Sequence, residues 1–213
     1  MNVTITLGIL VITVLISIGG FSNHKIIDDL IFYPPSVKRG QFYRFFTHGL
    51  IHADPVHLIF NMIALDSFGK NLEMIFEAPF MFGSYGKFVY LGLYVTALMI
   101  ASVPDYFRHK DHYHYRSLGA SGAVSAVIFA TIMFDPISGI GFAFIPNLSI
   151  PGYIFAIIYL AISTVLAKKG TDNIGHTAHI TGAIYGMVFM YAATKLFTNV
   201  DILREFWARV TGQ

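Results

Sequence analysis

Two residues far apart in the chain could perform covalent chemistry together. Ser121 lies in Gly119-Ala120-Ser121-Gly122, and His179 lies in Gly175-His176-Thr177-Ala178-His179. A serine hydroxyl is a poor nucleophile at neutral pH until a base takes its proton. Histidine suits that task because its pKa lies near working pH. Acyl transfer also needs donors for the oxyanion that develops on the attacked carbonyl. His57 and Asn61, one helical turn apart, could aim two side-chain donors into one cavity. The backbone N–H of Ser121 becomes a third if Ser121 opens a helix, because the first amides of a helix have no intrahelical partner. Only Asp172 stands close to His179 among the acidic residues, in the preceding loop, so a Ser–His dyad is favoured over a full triad.

Whether these groups can meet depends on the segments that carry them. The 213 residues are 55% hydrophobic and 12% charged, with a mean hydropathy of +0.62. A soluble domain carries about 25% charged residues. Too few charges remain here to cover a water-facing surface, so lipid must be the solvent for much of the chain. A net charge of +2 without a long basic run gives nothing for nucleic acid to bind, and the absence of Cys excludes thiolate chemistry and disulfides. The N-terminus lacks the basic start and the Ala-x-Ala site of a secretory signal, so the first apolar segment reads as a retained span.

A bilayer-spanning helix needs roughly 20 mostly apolar residues. Six segments qualify in outline: Val3–Phe21, Val56–Phe76, Lys87–Val103 ending at Pro104, Gly119–Phe134, Pro151–Ala167 and Ile174–Phe197. The expected fold is an all-α membrane protein, a six-helix bundle forming one domain over residues 1–213, followed by a short amphiphilic tail with Trp207. The Ser22–Asp54 connection is long and carries Tyr33-Pro34-Pro35, Lys38-Arg39 and Phe42-Tyr43-Arg44-Phe45-Phe46, a mixture suited to the headgroup interface. Gly/Pro-rich sequence joins the fourth and fifth segments.

Six alternating spans have a geometric consequence. The second, fourth and sixth enter the membrane from the same side, and their N-terminal ends carry His57 with Asn61, Ser121, and His179. The most suspicious polar residues of three helices thus share one depth. On the sixth span His179, Gly182 and Gly186 fall on one face. Gly182-x-x-x-Gly186 is a contact that lets membrane helices touch backbone to backbone. Ser121 and Ser125 share a face of the fourth span beside Gly122 and Ala126. Small residues therefore supply the approach that a serine and a histidine on different helices require.

These residues resemble the rhomboid intramembrane serine proteases over nearly the whole length. The matching parts are Tyr43-Arg44, the series His48, His52, His57 with Asn61, Gly119-x-Ser121-Gly122, and Ala178-His179-x-x-Gly182-x-x-x-Gly186. The resemblance implies a six-helix core and hydrolysis of peptide bonds in or next to a transmembrane segment of a membrane-protein substrate, without cofactor or metal. It assigns the nucleophile to Ser121, the general base to His179 and oxyanion contacts to His57 and Asn61. It also casts residues 22–54 as a half-embedded lateral structure and the loop before the last span as a cap. A bacterial cell membrane is the expected setting, with the N-terminus in the cytoplasm. That orientation puts Lys25, Lys38, Arg39, Arg44, Arg108, Lys110, Arg116, Lys168 and Lys169 outside, against the positive-inside tendency.

The chain departs from the pattern at Ser125, where many members carry an aromatic packed on the catalytic histidine, so something else must orient the His179 ring. His48 and His52 read as structural, tying the first connection to the bundle. His176, one turn before His179, is a less favoured base. Asp66 and Glu73 read as groups satisfying buried or loop partners, Glu73 as a cap to the next loop. Two other functions compete: an inactive rhomboid-like membrane chaperone or binder, and a transporter using His109, His112 and His114 for a transition metal. The intact Ser121 and His179 weigh against the first. The loop position of the three histidines weighs against the second.

Overall fold

The computed structural model describes residues 4–142, 145–169 and 175–213. Val3, Asp172, Ile174 and most of the loop expected to cap the site lie outside the described residues. In chain order the helices are α1 (Ile5–Ser22), α2 (His24–Leu30), α3 (Pro34–Lys38), α4 (Arg44–Thr47), α5 (Pro55–Glu77), α6 (Gly86–His109), α7 (Ser121–Phe134), α8 (Gly152–Lys169), α9 (His176–Phe197) and α10 (Ile202–Thr211), with strands β1 (Gly139–Phe142) and β2 (Ile145–Pro151) between α7 and α8.

The burial pattern is that of a protein dissolved in lipid. On α1 the buried side is Thr6, Thr13, Ser17 and Gly20, while Leu15 is 66% exposed and Val11, Ile12 and Ile18 also face outward. Water would drive the opposite arrangement. Hydrocarbon gives Leu no reason to hide, so small and polar residues occupy helix contacts instead. α8 behaves likewise, with Ile157 67% exposed and only Gly152 and Ser163 buried among its described residues. The protein is a helical membrane bundle.

α7 is the axis of this bundle. Every residue from Gly122 to Met133 is buried, enclosed by α5, α6 and α9. Among the described residues, four helices are long and apolar enough to cross a bilayer: α1, α6 with the turn before it, α8 and α9. α5 is long but carries Asp66, Lys70, Glu73 and Glu77, and α7 has 14 residues. At 1.5 Å per residue α7 rises about 21 Å, short of the roughly 30 Å hydrocarbon core. Length and hydropathy alone therefore do not make six spans.

Several local expectations need correction. α6 does not stop at Pro104 but continues to His109. Its last turns are anchored by tertiary contacts that outweigh the missing amide: Asp105 is buried and bonded to Tyr115, and the Tyr106 ring packs on Phe45 at 5.7 Å. The Gly/Pro-rich connection after α7 carries the antiparallel pair β1 and β2. Glu73 does not cap the loop that follows it. It reaches across to α1, accepting from the amides of Ile5 and Thr6 at 2.6 and 2.9 Å and from the Thr6 hydroxyl at 2.8 Å. A carboxylate at a helix N-terminus meets both orphan amides and the positive end of the helix dipole. Gly69 makes room for this junction, since a Cβ there would meet the Tyr90 hydroxyl at 2.5 Å.

The first connection is folded. Arg44 is buried and its guanidinium donates to the Asp28 carbonyl, the Ile31 carbonyl and the Gln41 side chain at 2.6–2.9 Å. One side chain thus draws the end of α2 onto the start of α4. Phe32 and Ser117 pair as an isolated antiparallel bridge, joining this connection to the segment that leads into α7.

Candidate active site

The site is built where α7 begins. Gly119 has φ +113°, a conformation that side chains strain to adopt, and a Cβ there would come 2.7 Å from His57 Cε1. Only glycine lets the backbone turn into α7 with the imidazole lying against it. The turn is held from both sides: the Gly119 amide donates to the His48 carbonyl at 2.9 Å, and the Ala120 amide donates to His52 Nε2 at 3.4 Å. Ser121 is then the first helical residue, so its own amide is one of the orphan donors of a helix N-terminus.

Ser121 Oγ lies 2.7 Å from His179 Nε2. The two side chains come from helices 58 positions apart in the sequence, and glycine makes the approach possible. A Cβ on Gly182 would run into the Gly122 carbonyl, and one on Gly186 into the Ala126 carbonyl. Both collisions are with backbone, which cannot swing aside. The expected Gly-x-x-x-Gly contact is therefore made, and it is made against α7.

His57 and Asn61 sit on α5 as expected. Asp54 caps α5 by accepting from the His57 amide at 2.8 Å, which fixes the first turn and sends the His57 ring toward Gly119. Asn61 is buried, and its Nδ2 donates to the His57 carbonyl at 2.9 Å. That bond uses one of its two N–H groups. The structure thus brings His179 to Ser121 and His57 to Gly119, with Asn61 one turn below His57.

The remaining histidines frame the site. His48 is buried, with Nε2 3.1 Å from Ser102 Oγ and 3.4 Å from the Leu98 carbonyl. His52 is fully buried, and its Nδ1 lies 3.0 Å from Ser17 Oγ, which donates to the Leu50 carbonyl at 3.0 Å. Since Ser17 gives its proton to that carbonyl, His52 Nδ1 must be the donor, and Nε2 is left as acceptor for Ala120. The bonds assign one neutral tautomer. Burial pushes the His52 pKa down to about 3, with the neighbouring His57 charge adding to the effect, and burial pushes His48 down to about 4. His176 packs edge-on to His179 at 5.8 Å. His109 and His112 meet through their Nδ1 atoms at 3.0 Å, and His109 stacks on Tyr115. Among the described residues no three His, Cys, Asp or Glu converge as a metal site.

Comparison with known proteins matches the model of the Rhomboid domain to residues 39–196, the stretch from the first connection to the end of α9. The chain belongs to the rhomboid family. It is 26% identical over 177 residues to rhomboid protease GlpG of Haemophilus influenzae, covering 81% of this chain and 82% of that protein. RHOMBOID-like protein 12, mitochondrial, of Arabidopsis thaliana is 25% identical over 170 residues, 76% of this chain and 50% of the relative. Presenilin-associated rhomboid-like protein A, mitochondrial, of Danio rerio is 24% identical over 158 residues, 73% and 39% respectively. The chain spans half or less of the length of these plant and fish relatives.

One side chain at the site has no signature in the sequence. Tyr159 of α8 places its hydroxyl 2.7 Å from Ser125 Oγ and its ring alongside His179, at 6.3 Å between centroids and 29° between planes. No spacing rule links position 159 to positions 125 and 179. The only pointer in the sequence is Ser125 itself, a small polar residue where an aromatic is expected.

Proposed function

We propose that this rhomboid-family chain is an intramembrane serine endopeptidase that cleaves peptide bonds in or next to transmembrane segments of membrane proteins. The observation that carries the reading is the 2.7 Å approach of His179 Nε2 to Ser121 Oγ on two helices held together by glycine contacts. A merely structural serine at a helix start needs no such partner. The name of the Haemophilus relative, a rhomboid protease, agrees with it.

In this reading His179 Nε2 takes the Ser121 proton as Oγ attacks the substrate carbonyl. The developing oxyanion is met by the Ser121 amide and by His57 and Asn61 side chains, groups already fixed in place and therefore needing little reorganisation. His179 then passes the proton to the leaving amine, the C–N bond breaks, and Ser121 holds the acyl group as an ester. Water attacks that ester with His179 again as base, releasing the second product and restoring the hydroxyl. The chemistry needs no cofactor or metal. In this reading the chain crosses the bilayer six times with all these groups toward one face, and the setting is a bacterial cell membrane, in keeping with the match to the Haemophilus protein over 81% of this chain and 82% of that one.

The direct test is cleavage of a model single-span substrate by purified protein in liposomes. Ser121→Ala should lower turnover by at least about 10³-fold, as removal of a nucleophile does in other serine proteases. Full cleavage by Ser121→Ala would end the proposal. An inactive binder would retain the substrate with no products from either protein.

A further inference from the structure

Ser125 and Tyr159 invite a reading beyond the dyad. Ser125 is buried in the second turn of α7, where a hydroxyl is retained at a cost unless it is paired. Its partner is Tyr159, which comes from the peripheral helix α8 rather than from the core. The phenol ring is held between Phe129, at 5.4 Å, and Phe155, at 5.6 Å and 29°. Its hydroxyl is fixed by Ser125 and one of its faces runs beside the imidazole of His179. A single side chain thus reads the orientation of α7 through its oxygen and passes it to α9 through its ring.

We infer that Tyr159 is the positioning residue for the His179 ring, supplied from α8 and oriented by Ser125, so that Ser125 and Tyr159 act as one unit. The inference rests on the proposed Ser121–His179 dyad. Its physical content is twofold. Side-by-side aromatic planes restrict rotation of the imidazole, which must present Nε2 to Ser121 Oγ when it takes a proton and to the leaving nitrogen when it gives one. The imidazole also becomes a cation between those events, and an aromatic face beside a cation is attractive. Ser125 is then not a lost aromatic. It is the hydroxyl that sets an aromatic arriving from another helix.

The test uses the full chain in liposomes with Tyr159→Leu, Tyr159→Phe, Ser125→Ala and the Tyr159→Phe/Ser125→Ala double variant. Turnover, KM and the rate of Ser121 labelling by a fluorophosphonate are measured on each. Tyr159→Leu should lower kcat by about 10- to 100-fold with KM within about twofold, because misplacement of a reacting group costs on that order. Labelling should slow in parallel. Tyr159→Phe keeps the ring and should recover most of this loss, leaving about a 5-fold defect for one lost hydrogen bond. Ser125→Ala should match it, and the double variant should be no worse than either single. Wild-type kcat in Tyr159→Leu, or a change confined to KM, overturns the inference. If Tyr159→Leu does not fold, additive losses in the conservative pair overturn it instead. Wild-type protein that neither cleaves nor labels would instead remove the dyad reading on which the inference stands.

Discussion

Two sides of α7 meet their neighbours by opposite means. Toward α9, contact is made by removing side chains: Gly182 and Gly186 lie directly against the carbonyls of Gly122 and Ala126. Toward the first connection, contact is made by polar groups, the His48 carbonyl and the His52 ring accepting from the Gly119 and Ala120 amides while Ser102 and Ser17 hold the two imidazoles. The first arrangement sets a distance between helices and has no slack. The second sets the orientation of a few backbone amides and can lose a member without the helices parting. In the proposed mechanism the glycine side fixes nucleophile to base, and the histidine side fixes the turn from which the Ser121 amide is presented.

That contrast ranks the expected effects. Gly182→Val should reduce peptide cleavage to background, because a branched side chain must push α9 off the Gly122 backbone and with it His179 from Ser121. Normal cleavage by Gly182→Val would show that the glycine contact does not set the dyad. His57→Ala, on the polar side, should cost about 10²- to 10³-fold in kcat, the usual effect of losing one oxyanion donor. A loss seen only in KM would move His57 from transition-state stabilisation to substrate binding.

The smallest effect concerns stability rather than rate. His48 and His52 are held neutral in the fold, at about 4 and about 3, while an unfolded histidine titrates near 6.5. Below pH about 6.5 the unfolded chain binds protons that the folded chain refuses, so stability is full above that pH and is lost progressively as pH falls toward 4 and 3. The thermal midpoint in detergent should therefore drop between pH 7.5 and 4.5, and His52→Gln should flatten that dependence. An unchanged slope in His52→Gln would remove His52 as its source.

The same contrast explains what could be read from sequence. Glycine contacts are legible, since Gly182-x-x-x-Gly186 beside His179 is a local spacing with a geometric meaning. So is the placement of His57, Ser121 and His179 at the N-terminal ends of three helices, which the structure brings together around Gly119 and Ser121. Partners that meet only in space are not legible. The position of Glu73 near a helix end points to buried or loop partners and a cap on the next loop; it does satisfy buried groups, but its three donors lie on α1, 67 and 68 positions away. Tyr159 joins α7 and α9 with no periodicity to announce it. Local rules end a helix at Pro104, whereas the buried Asp105 and packed Tyr106 carry α6 on. Ser17 was part of an apolar first span, and its role appears only once His52 is seen beside it.

The central claim is that Ser121 is an activated nucleophile and His179 its base. Treating the purified chain with a serine-directed fluorophosphonate and locating the adduct by mass spectrometry tests both at once. Covalent modification at Ser121 is expected in the wild-type protein and none in His179→Ala. Modification of Ser121 at the same rate without His179, or no modification in the folded wild-type protein, would contradict it.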